Sequence, residues 1–134
     1  MSELSVLCVD DEVGFLETLL KRMRKRRVNV SGVNSGKEAL EWLSTNAADV
    51  VIVDVRMPGM DGIETMKAIK TMKAIKKANP LVEIIMLTGH ADLQVAREGM
   101  EMGAFDYLMK PVDIDELLYK VQDASKKKTI QERK

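Results

Sequence analysis

The sequence has little of what marks several large classes of protein. Cys8 is the only cysteine among 134 residues and lies in an apolar run, which indicates a buried core residue in a reducing compartment. Lys plus Arg and Asp plus Glu both number 21, so no basic excess is present to hold nucleic acid or an anionic membrane. No apolar stretch approaches the roughly 20 residues needed to span a bilayer, and Met1-Ser2-Glu3 lacks the basic start of a signal peptide. These features predict a soluble, cytoplasmic protein.

Strand-like and helix-like segments alternate along the chain. Short apolar runs predict the strands, and segments with apolar residues at helical spacing follow them. The predicted strands are 6–9, 28–33, 50–53, 82–87 and 105–109. Five βα units imply an α/β fold, a five-stranded parallel sheet with helices on both faces. We expect one domain at residues 1–125 and a polar, basic tail at 126–134 that frays or continues the last helix into solvent.

Charged side chains stand at the ends of three predicted strands. Asp10 and Asp11 follow the first strand. Asp54 ends the third, and Lys110 follows the fifth. Parallel strands share one carboxyl edge, where open α/β sheets place ligands, so these side chains are expected to converge. Three carboxylates repel one another unless a cation lies among them, and hard oxygen ligands without zinc-type His and Cys spacing favour Mg²⁺, with Mn²⁺ as an alternative.

The same edge is a candidate site for a phosphoryl group. Mg²⁺ that keeps open water positions usually binds phosphate. Lys110 adds an ammonium, and Thr88, at the end of the fourth strand, adds a hydroxyl. Positive charge and a hydrogen-bond donor around a phosphoryl group stabilise the charge that phosphoryl transfer develops. Asp54 is therefore a candidate nucleophile that would form an aspartyl phosphate.

Five segments, in order, resemble the receiver domain of two-component response regulators over residues 4–125. They are Val9-Asp10-Asp11-Glu12, Asp54-Val55-Arg56-Met57-Pro58-Gly59-Met60-Asp61-Gly62, Leu87-Thr88-Gly89-His90-Ala91, Gly103-Ala104-Phe105-Asp106-Tyr107 and Lys110-Pro111. The resemblance implies the CheY-like, flavodoxin-like (βα)5 fold with strand order 2-1-3-4-5. It also implies a signalling protein that accepts a phosphoryl group from a histidine kinase or phosphotransfer protein. Such a protein is not a general enzyme, because it catalyses only its own phosphorylation and dephosphorylation.

The resemblance implies chemical roles for the matching residues. Asp54 resembles the phosphoacceptor and a metal ligand, and Asp10 and Asp11 resemble the carboxylates that bind the metal. Arg56 matches the position whose backbone carbonyl binds the metal. Lys110 matches the lysine that pairs with the phosphoryl group.

The resemblance also implies a switch. Thr88 and Tyr107 resemble the pair that remodels the face made by the fourth helix, fifth strand and fifth helix. The Lys110-Pro111 peptide bond is typically cis in this family. The face would bind a downstream protein, an output domain outside this chain, or a second copy in a homodimer.

Other interpretations compete with these roles. Asp10 and Asp11 also fit a helix cap, Tyr107 also fits a packing residue, and His90 fits a solvated loop position. A phosphatase of the haloacid dehalogenase type also uses Mg²⁺ and a nucleophilic Asp, but carries a second carboxylate where this chain has Arg56. A DNA-binding protein is suggested by the basic run 21–27, yet the zero net charge and the absence of a helix-turn-helix segment count against it.

A hexapeptide is duplicated, since residues 65–70, Thr-Met-Lys-Ala-Ile-Lys, recur unchanged as residues 71–76. Six residues advance an α-helix by about 600° and lengthen it by roughly 9 Å. If both copies are helical, we expect the first copy, with Ile63, to face the core. Met72 and Ile75 would then emerge on the solvent side as an apolar patch that supports self-association. The alternative is a loop that bulges out before the fourth strand.

Overall fold

A computed structural model describes residues 4–55, 62–89 and 93–132 and contains alternating strands and helices. The strands are β1 (Ser5–Val9), β2 (Asn29–Val33), β3 (Val50–Val55), β4 (Glu83–Thr88) and β5 (Asp106–Met109). The helices are α1 (Val13–Lys25), α2 (Gly36–Thr45), α3 (Gly62–Ala78), α4 (Leu93–Glu101) and α5 (Ile114–Glu132). All strand pairs are parallel, and the order is β2-β1-β3-β4-β5, which confirms the predicted α/β fold.

The sheet separates two hydrophobic cores, because successive residues of a strand point to opposite faces. Val6 and Cys8 of β1 belong to the core that contains buried residues of α1 and α5. Leu7 and Val9 belong to the core that contains buried residues of α2 and α3. Cys8 is a free, buried thiol, and burial raises its pKa to about 12, so it stays protonated at neutral pH. The expectation of a buried core cysteine is confirmed.

The duplicated hexapeptide forms part of one continuous helix, α3, and its second copy packs in the core. Met72 and Ile75 are fully buried, whereas Met66 of the first copy is 60% exposed. The prediction that the second copy would emerge on the solvent side was therefore wrong, and so was the alternative of a bulging loop. The exposed apolar residue belongs to the first copy.

The C-terminal end of α3 explains this register. Residues 79–82 connect α3 to β4, and the Val82 N–H donates to the Asn79 carbonyl at 3.1 Å. The Lys76 ammonium donates to the carbonyls of Pro80 and Val82 at 3.3 and 2.7 Å. This short, hydrogen-bonded connection fixes the last turns of the helix. The extra length therefore extends α3 at its N-terminal end, which lies on the side of the sheet's carboxyl edge, and not in the segment before β4.

The basic tail continues the last helix, one of its two expected outcomes. α5 is helical to Glu132, and Ile130 is exposed. Lys128 pairs with Asp49 at 3.1 Å, and Lys127 lies 3.6 Å from the buried Glu83 carboxylate. These contacts hold the tail against the edge of the sheet opposite the charged cluster. The domain boundary at residue 125 stays a prediction, and no helix in the described ranges has the length and apolarity needed to cross a membrane.

The two copies of the hexapeptide offer a matched test of this register. Met72→Ala removes a fully buried side chain, so we expect it to lower the free energy of unfolding by about 2–4 kcal/mol. Met66→Ala changes an exposed side chain in the same local sequence, and we expect a change below about 0.5 kcal/mol. Urea unfolding measures both. Equal costs for the two variants, or a larger cost for Met66→Ala, would contradict the register.

Candidate metal and phosphoryl site

The acidic residues meet because β1 and β3 are neighbours in register. Val9 pairs with Val53, so Asp10 and Asp54 occupy the next positions at the carboxyl edge. Carboxylate oxygens of Asp10, Asp11 and Asp54 lie within 4.8 Å of one another. The structure therefore brings together the three carboxylates that the sequence placed at this edge. Three negative charges at this separation repel one another strongly in a partly buried site.

Lys110 enters the site from β5. Its backbone N–H donates to the Thr88 carbonyl at 2.7 Å, which fixes the residue at the end of the strand. Its ammonium lies 2.7 Å from Oδ1 of Asp54, whose side chain is 3% exposed. The ammonium also lies 4.1 Å from the centroid of the Phe15 ring, a cation–π contact. The Lys110-Pro111 peptide bond is cis, as the resemblance implied.

Asp10 is a buried carboxylate with one oxygen left unpaired among the described residues. It is 4% exposed, and its Oδ1 accepts a hydrogen bond from the Glu12 N–H at 2.9 Å. Its Oδ2 is buried with no hydrogen-bond partner in the described part of the chain. Burial raises the pKa of Asp10 to about 7, and the Asp54 carboxylate adds to this rise, while the Glu12 N–H and the Lys110 ammonium oppose it.

The cluster fits a divalent cation such as Mg²⁺. The fit rests on the three converging carboxylates and on the buried Asp10 oxygen that lacks a partner. Mg²⁺ binds through one or two carboxylates and keeps several waters. A cavity of about 260 Å³ adjoins the carboxylates and holds room for several waters, at roughly 30 Å³ each. The site can therefore accommodate a hydrated cation together with a phosphoryl group.

Thr88 and Tyr107 lie on neighbouring strands and on the same face of the sheet. Met86 pairs with Tyr107, and Thr88 is two residues beyond Met86 on β4. Thr88 is buried, and the half-buried Tyr107 packs against the core that contains α2 and α3. This arrangement puts the two residues on the same face of the sheet, with Tyr107 opposite Met86 and Thr88 two residues further along β4. The switch role of the pair stays a prediction.

Of the residues that were assigned a role at or near the site from the sequence, two cannot be placed. Arg56, predicted to bind the metal through its backbone carbonyl, and His90, predicted to be a loop residue, lie outside the described residues.

Residues of α3 complete one wall of the cavity, and the sequence did not lead us to them. Lys67, Ala68 and Thr71 line the cavity together with the acidic cluster. Gly36, at the start of α2, allows α3 to pass closely, since a Cβ there would lie 2.3 Å from the Thr71 hydroxyl. The signal that could have found these residues is the short connection from α3 to β4, which sets the helix register from its C-terminal end.

The raised pKa of Asp10 predicts a pH dependence of stability in the metal-free protein. Between about pH 4 and pH 7 the folded protein keeps the Asp10 proton, whereas the unfolded chain has lost it, so unfolding releases a proton. The free energy of unfolding should therefore fall as pH rises through this window, by about 1.4 kcal/mol per pH unit at most. Asp10→Asn should lack this contribution. The measurement is urea unfolding of both proteins across the window.

Asp115→Asn is the matched control, because the Asp115 side chain is 80% exposed, pairs with Arg26 at 3.1 Å and is not a member of the acidic cluster. Its stability should stay parallel to that of the parent protein across the same window. A parallel pH profile for Asp10→Asn would contradict the assignment of a proton to Asp10.

Known proteins share this sequence pattern and fold. The sequence matches the family model described as the response regulator receiver domain over residues 6–122. It is 36% identical over 114 residues to the transcriptional regulatory protein ZraR of Escherichia coli K12, covering 85% of this chain and 24% of that protein. It is 38% identical over 116 residues to the DNA-binding transcriptional regulator NtrC of Klebsiella pneumoniae, covering 87% of this chain and 24% of that protein. The chain thus spans about a quarter of these curated relatives, at 24% of their length.

Solved structures give the same result for the fold. A response regulator receiver domain protein from Clostridium thermocellum aligns with a TM-score of 0.81 at 32% identity, covering 96% of this chain and 98% of that one. A CheY-like receiver domain protein from Methanospirillum hungatei aligns with a TM-score of 0.83 at 24% identity, covering 97% and 99% of the two chains. At 24% identity, the second comparison shows similarity of fold alone.

Proposed function

Because the chain belongs to the response regulator receiver domain family of two-component signalling, we propose that Asp54 accepts the phosphoryl group and that Asp10, Asp11 and Asp54 hold Mg²⁺. The observation that carries the proposal is the position of Asp54. It stands within 4.8 Å of two other carboxylates and has the Lys110 ammonium 2.7 Å from one oxygen. A cation site on one side and a fixed positive charge on the other would stabilise the phosphoryl charge as the Asp54 carboxylate attacks.

The residues divide the chemistry between them. An oxygen of Asp54 attacks phosphorus, an O–P bond forms, and the N–P bond of a donor phosphohistidine breaks. Mg²⁺, when bound, neutralises charge on the phosphoryl oxygens. Lys110, already 2.7 Å from Asp54, pairs with a phosphoryl oxygen, and the Phe15 ring against its ammonium keeps that charge in place. The backbone carbonyl of Arg56 is included as a metal ligand on the strength of the resemblance.

The donor is a histidine kinase or a phosphotransfer protein, and the chain catalyses only its own phosphorylation and dephosphorylation. The relatives named above are about four times as long as the matched region, so a downstream protein or an output domain outside this chain receives the signal. A second copy of this chain, in a homodimer, is the alternative binding partner. A cytoplasmic location belongs to the same proposal and agrees with Cys8 as a free, buried thiol.

Thr88 and Tyr107 relay the change in this proposal. Phosphorylation moves the Thr88 hydroxyl toward the phosphoryl oxygens, and the Tyr107 ring turns into the space that opens. The shared face of β4 and β5 and the half-buried position of Tyr107 support the relay. The phosphoryl group then shifts an equilibrium between two conformations of this surface toward one of them.

The first test is direct phosphorylation. Acetyl phosphate with Mg²⁺ should add one phosphoryl group to the protein, because the site stabilises the charge of the attacking complex. Asp54→Asn should abolish the adduct, and Asp115→Asn, which changes an exposed carboxylate, should retain it. Intact-mass spectrometry measures the adduct. Equal labelling of Asp54→Asn and the parent protein would remove Asp54 as the acceptor.

The second test separates the switch from the chemistry. Thr88→Ala and Tyr107→Ala should still accept a phosphoryl group, because neither residue forms the bond. Both should reduce the amide chemical-shift changes that phosphorylation causes in β5 and α5, measured by NMR. Loss of phosphorylation as complete as in Asp54→Asn would instead give these residues a part in the chemistry.

A further inference from the structure

We propose that Lys67, which the duplicated hexapeptide places in the wall of the acidic cavity, supplies a second ammonium to the site and lowers its affinity for Mg²⁺. The proposal rests on the metal role proposed for Asp10, Asp11 and Asp54. It assigns a function to the duplication, which the receiver pattern lacks.

The register of α3 is the first step of the argument. The connection to β4 fixes the C-terminal end of the helix, and Met72 and Ile75 hold that end in the core. Without one copy, each position before Thr71 would be occupied by the residue six places earlier in the sequence. Asp61 and Gly62 would then take the places of Lys67 and Ala68. In a sequence aligned from Thr71 without one copy, the residue matched to Lys67 is therefore the acidic Asp61, and the duplication replaces it by a basic residue.

The position of Lys67 is the second step. Lys67, Ala68 and Thr71 line the same cavity as Asp10, Asp11 and Asp54. The close approach of Thr71 to Gly36 fixes this part of α3 against the start of α2. The other copy of the lysine, Lys73, lines a different groove with residues of α4. The two lysines have the same local sequence, and one of them is at the site.

The charge of the cavity is the third step. Fully ionised, the three carboxylates carry three negative charges, and Lys110 cancels one of them. Lys67, which lines the same cavity, adds positive charge on the α3 side. A cation that enters the cavity meets a weaker negative potential and the repulsion of this ammonium. Because Lys67 is exposed, the effect is screened by salt.

Calorimetric titration of Mg²⁺ at low ionic strength tests the proposal on matched variants. Lys67→Met keeps most of the unbranched side chain and removes its charge, and it should bind Mg²⁺ about three- to tenfold more tightly than the parent protein. Lys73→Met makes the same change in the other copy and should leave the affinity unchanged. The difference between the two variants should shrink when the ionic strength is raised to about 1 M, where the screening length is about 3 Å. Thermal unfolding of each variant checks that it is folded.

The outcomes separate this inference from the proposed site. Asp10→Ala and Asp11→Ala should weaken Mg²⁺ binding if the carboxylates are ligands. If they do so and Lys67→Met matches the parent protein, the role of Lys67 is wrong and the site stands. If Lys67→Met and Lys73→Met tighten Mg²⁺ binding equally, a general effect of surface charge explains the change and the specific role of Lys67 is wrong. If the parent protein binds no Mg²⁺, the proposed site and this inference both fail.

Discussion

Mutual repulsion among three carboxylates is the constraint around which the site is arranged. Parallel pairing of β1 with β3 puts Asp10 and Asp54 side by side, and Asp11 adds a third charge. The Lys110 ammonium, at the end of β5, partly neutralises this negative charge. In the metal-free protein, burial raises the pKa of Asp10 to about 7, and repulsion from the Asp54 carboxylate adds to the rise. A partly buried cluster of carboxylates with a neighbouring ammonium can bind a cation, and a bound cation would attract an anion.

The charged cluster lies directly beside one of the two hydrophobic cores. The cores lie on opposite faces of the sheet, and Val9 and Val53 belong to one of them and also line the cavity. Packing of these strand residues therefore helps to hold the carboxylates at the edge. Gly36 allows α2 and α3 to pack closely beside the site, because a side chain there would collide with Thr71 in the cavity wall. The position of α3 is thus shared between the core and the site.

Local signals in the sequence, such as an apolar run that ends in Asp10 or Asp54, predicted the parallel sheet and the convergence of the three carboxylates. The strand order was implied by the resemblance to receiver domains and is confirmed. The register of α3 was not predictable from periodicity, because two identical copies present the same pattern. Because the first copy was expected to face the core, Met72 and Ile75 were wrongly predicted to be exposed. For the same reason, Lys67 was not predicted to lie at the site. The connection from Ala78 to β4, held by Lys76, decides the register through tertiary contacts.

The central claim is that the phosphoryl group is carried as an acyl phosphate on Asp54, and borohydride reduction tests it most directly. Hydride reduces an acyl phosphate and converts the aspartate to homoserine, which peptide mass spectrometry locates. After treatment with acetyl phosphate and Mg²⁺, followed by reduction, we expect homoserine at position 54 and aspartate at positions 10 and 11. Homoserine at another position, or a phosphorylated protein that yields none, would contradict the account.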